Sequence, residues 1–173
     1  MAQITWGGKA GLNVSTLGTT GIYSPRLGYH SGFYYSQHIE EQYGVQIELL
    51  YSLQGASFGI SEARMSYHYM HLPVMMKVYF EDNNYIEVGP QFGYLLSASE
   101  YIFGIRQTIT SSVRRWDIGG NLGVGHETSF GGIVGVRFNL GFLNANGGQV
   151  GAENVFRNIV GQLYFAYRFK EVM

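Results

Sequence analysis

The sequence predicts an all-β fold: an eight-stranded antiparallel up-and-down transmembrane β-barrel with short periplasmic turns and longer extracellular loops. Three observations lead there. The first is period-2 alternation, clearest at residues 44–55, where Val45, Ile47, Leu49, Tyr51 and Leu53 form one face and Gln46, Glu48, Leu50, Ser52 and Gln54 the other. That is the pattern of a strand with different surroundings on its two sides. The second is composition. Charged residues are 13% and aromatics 16% of the chain, against about 25% charged in a typical soluble domain. Mean hydropathy is nonetheless near zero, and no apolar run is long enough for a transmembrane helix. Alternating lipid-facing and lumen-facing residues produce that dilution. The third is the rhythm of the connections, which runs long, short, long, short, long, short, long.

The first strand, 4–14, sets Ile4, Trp6, Leu12 and Val14 against Thr5, Lys9 and Asn13. After a Ser/Thr/Gly loop at 15–26, the second, 27–37, turns Leu27, Tyr29, Phe33 and Tyr35 outward and His30 and Tyr34 inward. A short connection at 38–43 leads to the third, 44–55, and a loop at 56–66 to the fourth, 67–80. There Met70, Leu72, Val74, Met76 and Val78 alternate with Tyr69, His71, Met75, Lys77 and Tyr79. Glu81-Asp82-Asn83-Asn84 is a strong turn signal, and the fifth strand occupies 85–96. The longest loop, 97–114, precedes the sixth strand, 115–127, and a tight turn at 128–132 leads to the seventh, 133–143. An Asn/Gly-rich loop at 144–156 precedes the eighth, 157–169. Each strand has about the 9–11 residues needed to cross a bilayer, and the even count puts both ends of the chain on the periplasmic side. Aromatics gather at two heights. Trp6, Tyr35, Tyr43, Phe80, Tyr85, Phe130, Tyr167 and Phe169 mark the turn end; Tyr29, Tyr51, Tyr67, Tyr94, Trp116 and Phe142 mark the loop end. Two girdles are expected where such rings meet headgroups.

Residues 1–173 read as one domain. A net charge of −1 leaves no basic footprint for nucleic acid. No cysteine is present, so neither a disulfide framework nor thiolate metal ligation is available. Met1-Ala2-Gln3 reads as a mature start with an added initiator methionine, a signal peptide having been removed.

Parity assigns Lys9, Glu48, Lys77, Glu87, Asp117, Arg137 and Arg168 to the lumen. An eight-stranded barrel is only wide enough for its own side chains to fill, and unpaired burial costs several kcal/mol per ion, so these charges are expected to pair. A register matching Tyr79 with Tyr85 across the turn also matches Lys77 with Glu87, and a contact between those two is expected. An ion-pair network filling the barrel is the first reading, ahead of a proton or ion path. His126, Glu127, Thr128 and Ser129 are the nearest approach to a Ser/His/carboxylate set, but they fall on a short turn at the periplasmic end without a recognisable catalytic spacing, and they read first as interfacial turn residues. His30 and His71 could be imagined as metal ligands, but the signal is weak, and no cofactor or metal is predicted. Tyr101, Arg106 and Arg114 make the long loop a candidate contact surface for lipopolysaccharide phosphate or a partner protein.

Several stretches carry a family likeness: GGKAGLNVSTL near the start, IELLYSLQGAS at 47–57, YMHLPVMMKVYF at 69–80, YIEVGPQFGYLLSA at 85–98, GVRFNLGF at 135–142 and the final YRF at 167–169. In this order they resemble the PorT-like outer-membrane β-barrel family of Bacteroidetes-type bacteria. The resemblance implies an eight-stranded barrel in the outer membrane. It does not imply a substrate, although one branch of the family is associated with type IX secretion.

The chain is therefore expected to be a non-enzymatic outer-membrane barrel with a structural or interaction role in the envelope, in the manner of a secretion accessory. Its partners would be outer-membrane lipid, lipopolysaccharide and envelope or secretion proteins, with the oligomeric state left open. Two alternatives stand beside it. One is a barrel enzyme that modifies lipid. The other is a soluble lipocalin-like carrier of an apolar ligand, in which the apolar face would line the cavity. The direction of Glu48 separates membrane barrel from lipocalin.

Overall fold

The computed structural model describes residues 4–17, 23–40, 42–58, 64–102, 105–143 and 157–172. Nine strands are present: β1 (Ile4–Leu17), β2 (Tyr23–Glu40), β3 (Tyr43–Phe58), β4 (Arg64–Phe80), β5 (Asn84–Ile102), β6 (Ile105–Thr108), β7 (Trp116–Glu127), β8 (Gly132–Gly141) and β9 (Asn158–Val172). All pair antiparallel with their neighbours. β1 joins both β2 and β9, and β4 joins β5, so the sheet closes on itself through eight strands. β6 pairs only with β5 and extends the sheet beyond the closed ring. Closure removes the edges that an open sheet would expose.

The structure lengthens most of the expected strands at their loop ends. β2 begins at Tyr23 and β4 at Arg64, and β5 runs on to Ile102. The expected loop at 97–114 is thus partly a β5–β6 hairpin, because its Ser/Thr/Ile composition suits a ladder. The expected loop at 144–156 lies outside the described residues. In β5 the register slips by one, since Tyr69 pairs with Leu95 but His68 with Ser97. This bulge at Leu96 reverses the facing of the last part of β5, so Ala98 is buried beside Tyr67 and Tyr69.

The facing of the side chains decides between the two barrel readings. Glu48 is 1% exposed, as are Lys77 and Glu87 to within a point, whereas Leu49 is 50% and Phe33 64% exposed. Polar residues point in and apolar ones out, the reverse of a lipocalin. Lipid satisfies that exterior, and the closed ladder satisfies the backbone within it. Trp6, Tyr35, Tyr43, Phe80, Phe130, Tyr167 and Phe169 are exposed at the turn end, and Tyr29, Trp116 and Phe142 at the loop end. Two girdle assignments require correction. Tyr85 and Tyr67 are buried in the lumen at 0% and 4% exposure, because they share parity with Glu87 and Tyr69.

Two glycines make room for the buried rings. Gly125 of β7 and Gly135 of β8 are cross-strand partners. A Cβ on either would overlap the phenol of Tyr85 or Tyr164 respectively. Gly135→Val should therefore displace Tyr164 and destabilise the barrel by about 1–3 kcal/mol, read as a lower urea midpoint for loss of heat-modifiable gel migration. Leu122→Arg, on the lipid face next to the mid-height row of Glu87, Gly123 and Arg137, should cost roughly 2–4 kcal/mol in the same measurement.

Candidate functional site

The lumen is organised in three levels. At mid-height Arg137 of β8 meets two carboxylates. Its Nη1 and Nη2 donate to Glu48 Oε2 and Oε1 at 2.8 and 2.7 Å, and its Nε and Nη2 donate to Glu87 Oε1 and Oε2 at 2.7 and 3.0 Å. Lys9 Nζ donates to Glu48 Oε1 at 3.0 Å and lies 3.6 Å from the centre of the Tyr164 ring. Tyr164 donates to Glu87 Oε1 at 3.1 Å, and its hydroxyl shares a 2.8 Å hydrogen bond with that of Tyr85. Gln46 Nε2 adds a donor to Glu48 Oε1. Two cations face two anions, so the level is neutral, and β1, β3, β5, β8 and β9 all contribute to it. Paired planar forks of this kind are the strongest protein hydrogen bonds.

Below it, toward the turns, Glu127 Oε1 accepts from Lys77 Nζ at 3.2 Å and from Tyr79 at 2.8 Å, and Glu127 Oε2 stands 3.7 Å from Arg168 Nη2. This level opens into a recess of about 900 Å³ whose lining includes His38, Glu40, Tyr79, Glu81, Glu127 and Arg168. Above mid-height the lumen is mostly neutral and polar. Asn13 Oδ1 accepts from Gln162 Nε2 at 3.2 Å and is 2.7 Å from His30 Nδ1, while Asn139 Nδ2 donates to Asn121 Oδ1 at 3.0 Å.

All seven predicted lumen charges are on the inner face, but their pairing differs from expectation at two points. Lys77 and Glu87 are cross-strand partners, as are Tyr79 and Tyr85, yet they form no ion pair. The Arg137 fork occupies both oxygens of Glu87, and Lys77 instead crosses the Tyr85 ring, 4.0 Å from its centre, to reach Glu127. Asp117 pairs with no cation among the described residues; Asn158 Nδ2 donates to its Oδ2 at 3.0 Å. The sequence reading leaves Glu127 on the turn with His126, Thr128 and Ser129, whereas it is a lumen charge. Parity with Asp117 and Asn121 would have found it.

The turn cluster itself works as a clamp. His126 Nδ1 is 3.1 Å from Asn84 Oδ1, and Thr128 Oγ1 donates to Gly132 O at 2.8 Å. His71 stacks on Tyr69 at 5.2 Å. Among the described residues no three His, Asp or Glu side chains gather in a way that could hold a metal ion. At the loop end Tyr101 and Arg106 come together, with 5.8 Å between guanidinium and ring centre, and Arg64 joins them at 4.6 Å. Arg114 is exposed ahead of β7, on a separate segment. Sequence reasoning passed over Arg64 because it stood inside an expected loop.

Removing one member of the mid-height level should be costly. Arg137→Met leaves two buried carboxylates against Lys9 alone and should destabilise the barrel by about 3–5 kcal/mol. Adding Glu87→Gln restores neutrality and should recover part of that loss in the same urea titration. No recovery in the double variant would count against charge balance as the governing quantity.

Two solved structures illustrate the fold. Neisserial surface protein A superposes with a TM-score of 0.66 at 8% identity, covering 95% of this chain and 97% of that one. Ail, the attachment invasion locus protein of Yersinia pestis, does so with a TM-score of 0.57 at 12% identity over the same shares. At these identities the likeness is one of architecture. Among curated proteins the sequence has no match. The family described as "Outer membrane protein beta-barrel domain" matches residues 1–146. With a closed eight-stranded barrel, an apolar belt and this match, the chain belongs to that family of outer-membrane β-barrel proteins.

Proposed function

We propose that the chain is a non-enzymatic structural or interaction protein of the cell envelope that works through its outer surfaces and not through its lumen. The observation that carries this reading is the mid-height level. Lys9, Glu48, Glu87, Arg137, Tyr85 and Tyr164 are all at most 3% exposed and locked to one another. A conducting path would have to break four hydrogen bonds from one guanidinium, and a buried charge stripped of its partners is expensive. The wet surfaces are the periplasmic recess and the extracellular strand extensions with the β5–β6 hairpin. Loop-borne surfaces on a rigid scaffold are where contacts usually reside.

The finer assignment, a PorT-like barrel serving as an accessory to protein secretion, draws support from the segments GGKAGLNVSTL and YMHLPVMMKVYF and from their order. Its partners would be envelope or secretion proteins, together with outer-membrane lipid and lipopolysaccharide. A lipid-modifying enzyme is the competing reading. It finds little purchase in His126 and Thr128, which are engaged in turn contacts.

Planar-bilayer recording of the refolded chain should show no large, stable conductance. Incubation with lipid A should leave its acyl chains intact by mass spectrometry. Steady conductance would sink the closed-lumen reading, and release of fatty acid that is lost in a Ser129→Ala variant would sink the non-enzymatic one.

A further inference from the structure

Charge on this barrel is polarised along its axis. Six of the eight arginines, Arg26, Arg64, Arg106, Arg114, Arg115 and Arg157, stand at the loop end, and none of the three lysines does. The turn end instead carries Glu40, Glu81 and Glu127 around its recess. Solvation alone would be served by lysine equally well. A consistent choice of the planar, multi-donor guanidinium fits phosphate recognition.

Three of these arginines converge on one corner. Arg64, Tyr101 and Arg106 occupy a single cross-strand row over β4, β5 and β6, so they project from the same face. Arg26 reaches that corner from β2, where its Nη1 donates to Met65 O and, at 2.6 Å, to Ser66 Oγ. Met65 packs against the buried cluster that includes Tyr67 and Ala98, so alternation puts Arg64 and Ser66 on the opposite face, where Arg64 is exposed and Ser66 is buried, its hydroxyl bonded to Arg26. Among the described residues none of the three guanidiniums is ion-paired. Their partners are a tyrosine face, serine hydroxyls and a carbonyl oxygen.

The height of the corner identifies what covers it. Directly below is the aromatic girdle, where the Tyr51 hydroxyl and His68 Nδ1 are 2.5 Å apart and Tyr29 lies against Tyr51 at 6.1 Å. Ser66 and Arg64 stand two and four residues beyond His68, roughly 7 and 13 Å along the strand. Tyrosine and tryptophan mark the headgroup boundary, so the guanidiniums project into the layer just outside it. Like charges gathered in neighbouring rows repel, and an anion seated among them would relieve that repulsion.

We propose that Arg26, Arg64 and Arg106 form a binding site for the phosphate groups of a phosphorylated outer-leaflet lipid of the lipid A type. Tyr101 holds two of the forks in place, and Ser66 and Ser99 steady Arg26 and Arg106, the latter at 3.1 Å. This deepens the reading of the outer surface as the working one by naming one partner; conductance and lipid-hydrolysis results would stand whether or not it holds.

The test uses the full chain in phosphatidylcholine nanodiscs doped with bisphosphoryl lipid A, or with lipid A stripped of its phosphates but carrying the same acyl chains. Native mass spectrometry counts the lipid retained. The wild type should retain the bisphosphoryl form preferentially, and R64Q/R106Q should lose that preference by about fivefold per arginine removed. R157Q, from the same end but outside the corner, should retain it, and both variants should keep heat-modifiable migration. Inorganic pyrophosphate at a matched phosphate concentration should leave retention unchanged. Equal retention of the two lipids, equal loss in R157Q, undiminished retention in R64Q/R106Q, or displacement by pyrophosphate would each overturn the site.

Discussion

The interior of this barrel depends on the electrical neutrality of its mid-height level. Once a narrow sheet closes around charged side chains, water can no longer screen them, and each charge needs a partner of opposite sign at hydrogen-bond distance. Arg137 meets the requirement for Glu48 and Glu87 at once, and Lys9 completes the balance. The neighbouring residues are chosen to suit. Tyr85 and Tyr164 fill the space beside the carboxylates and hydrogen-bond to each other. Gly125 and Gly135 are bare because those phenols lie against them.

The exterior answers to a different solvent. Each of the eight strands of the closed ring presents an apolar face to lipid, and the girdle rings mark where lipid gives way to water. Along the same strands the facing is set by period two alone, so a single extra residue matters. The bulge at Leu96 is such a case. It turns Ala98 inward and lifts Tyr101 to the outside, where it meets Arg64 and Arg106.

Much of this was legible in the alternation. Facing is fixed by parity once a strand's phase is known, which is why Lys9, Glu48, Glu87 and Arg137 were placed correctly. The Tyr79–Tyr85 register came from turn chemistry in the same way. What parity cannot provide is the partner across the lumen. Glu48 and Arg137 are 89 residues apart in sequence, and nothing local connects them. Lys77 shows the same limit, since adjacency on paired strands favoured Glu87 while the longer reach to Glu127 prevailed. Strand ends were the least readable part. β-prone polar stretches such as 97–102 and 105–108 become strand only because a neighbouring strand is there to receive them.

The mid-height level also bears on how the barrel comes together. Its charges sit on the first, third, fifth and eighth strands, and half of the pairing is local: Lys9 and Glu48, like Glu87 and Arg137, stand with one strand between them and can pair in an open sheet. The fork from Arg137 to Glu48 instead joins opposite walls of the lumen and forms only once the sheet has curled. Curling and the completion of the network therefore coincide, which is the behaviour expected of a topology dominated by contacts distant in sequence. The bond across the finished lumen is thus one that no flat or unfinished sheet can make.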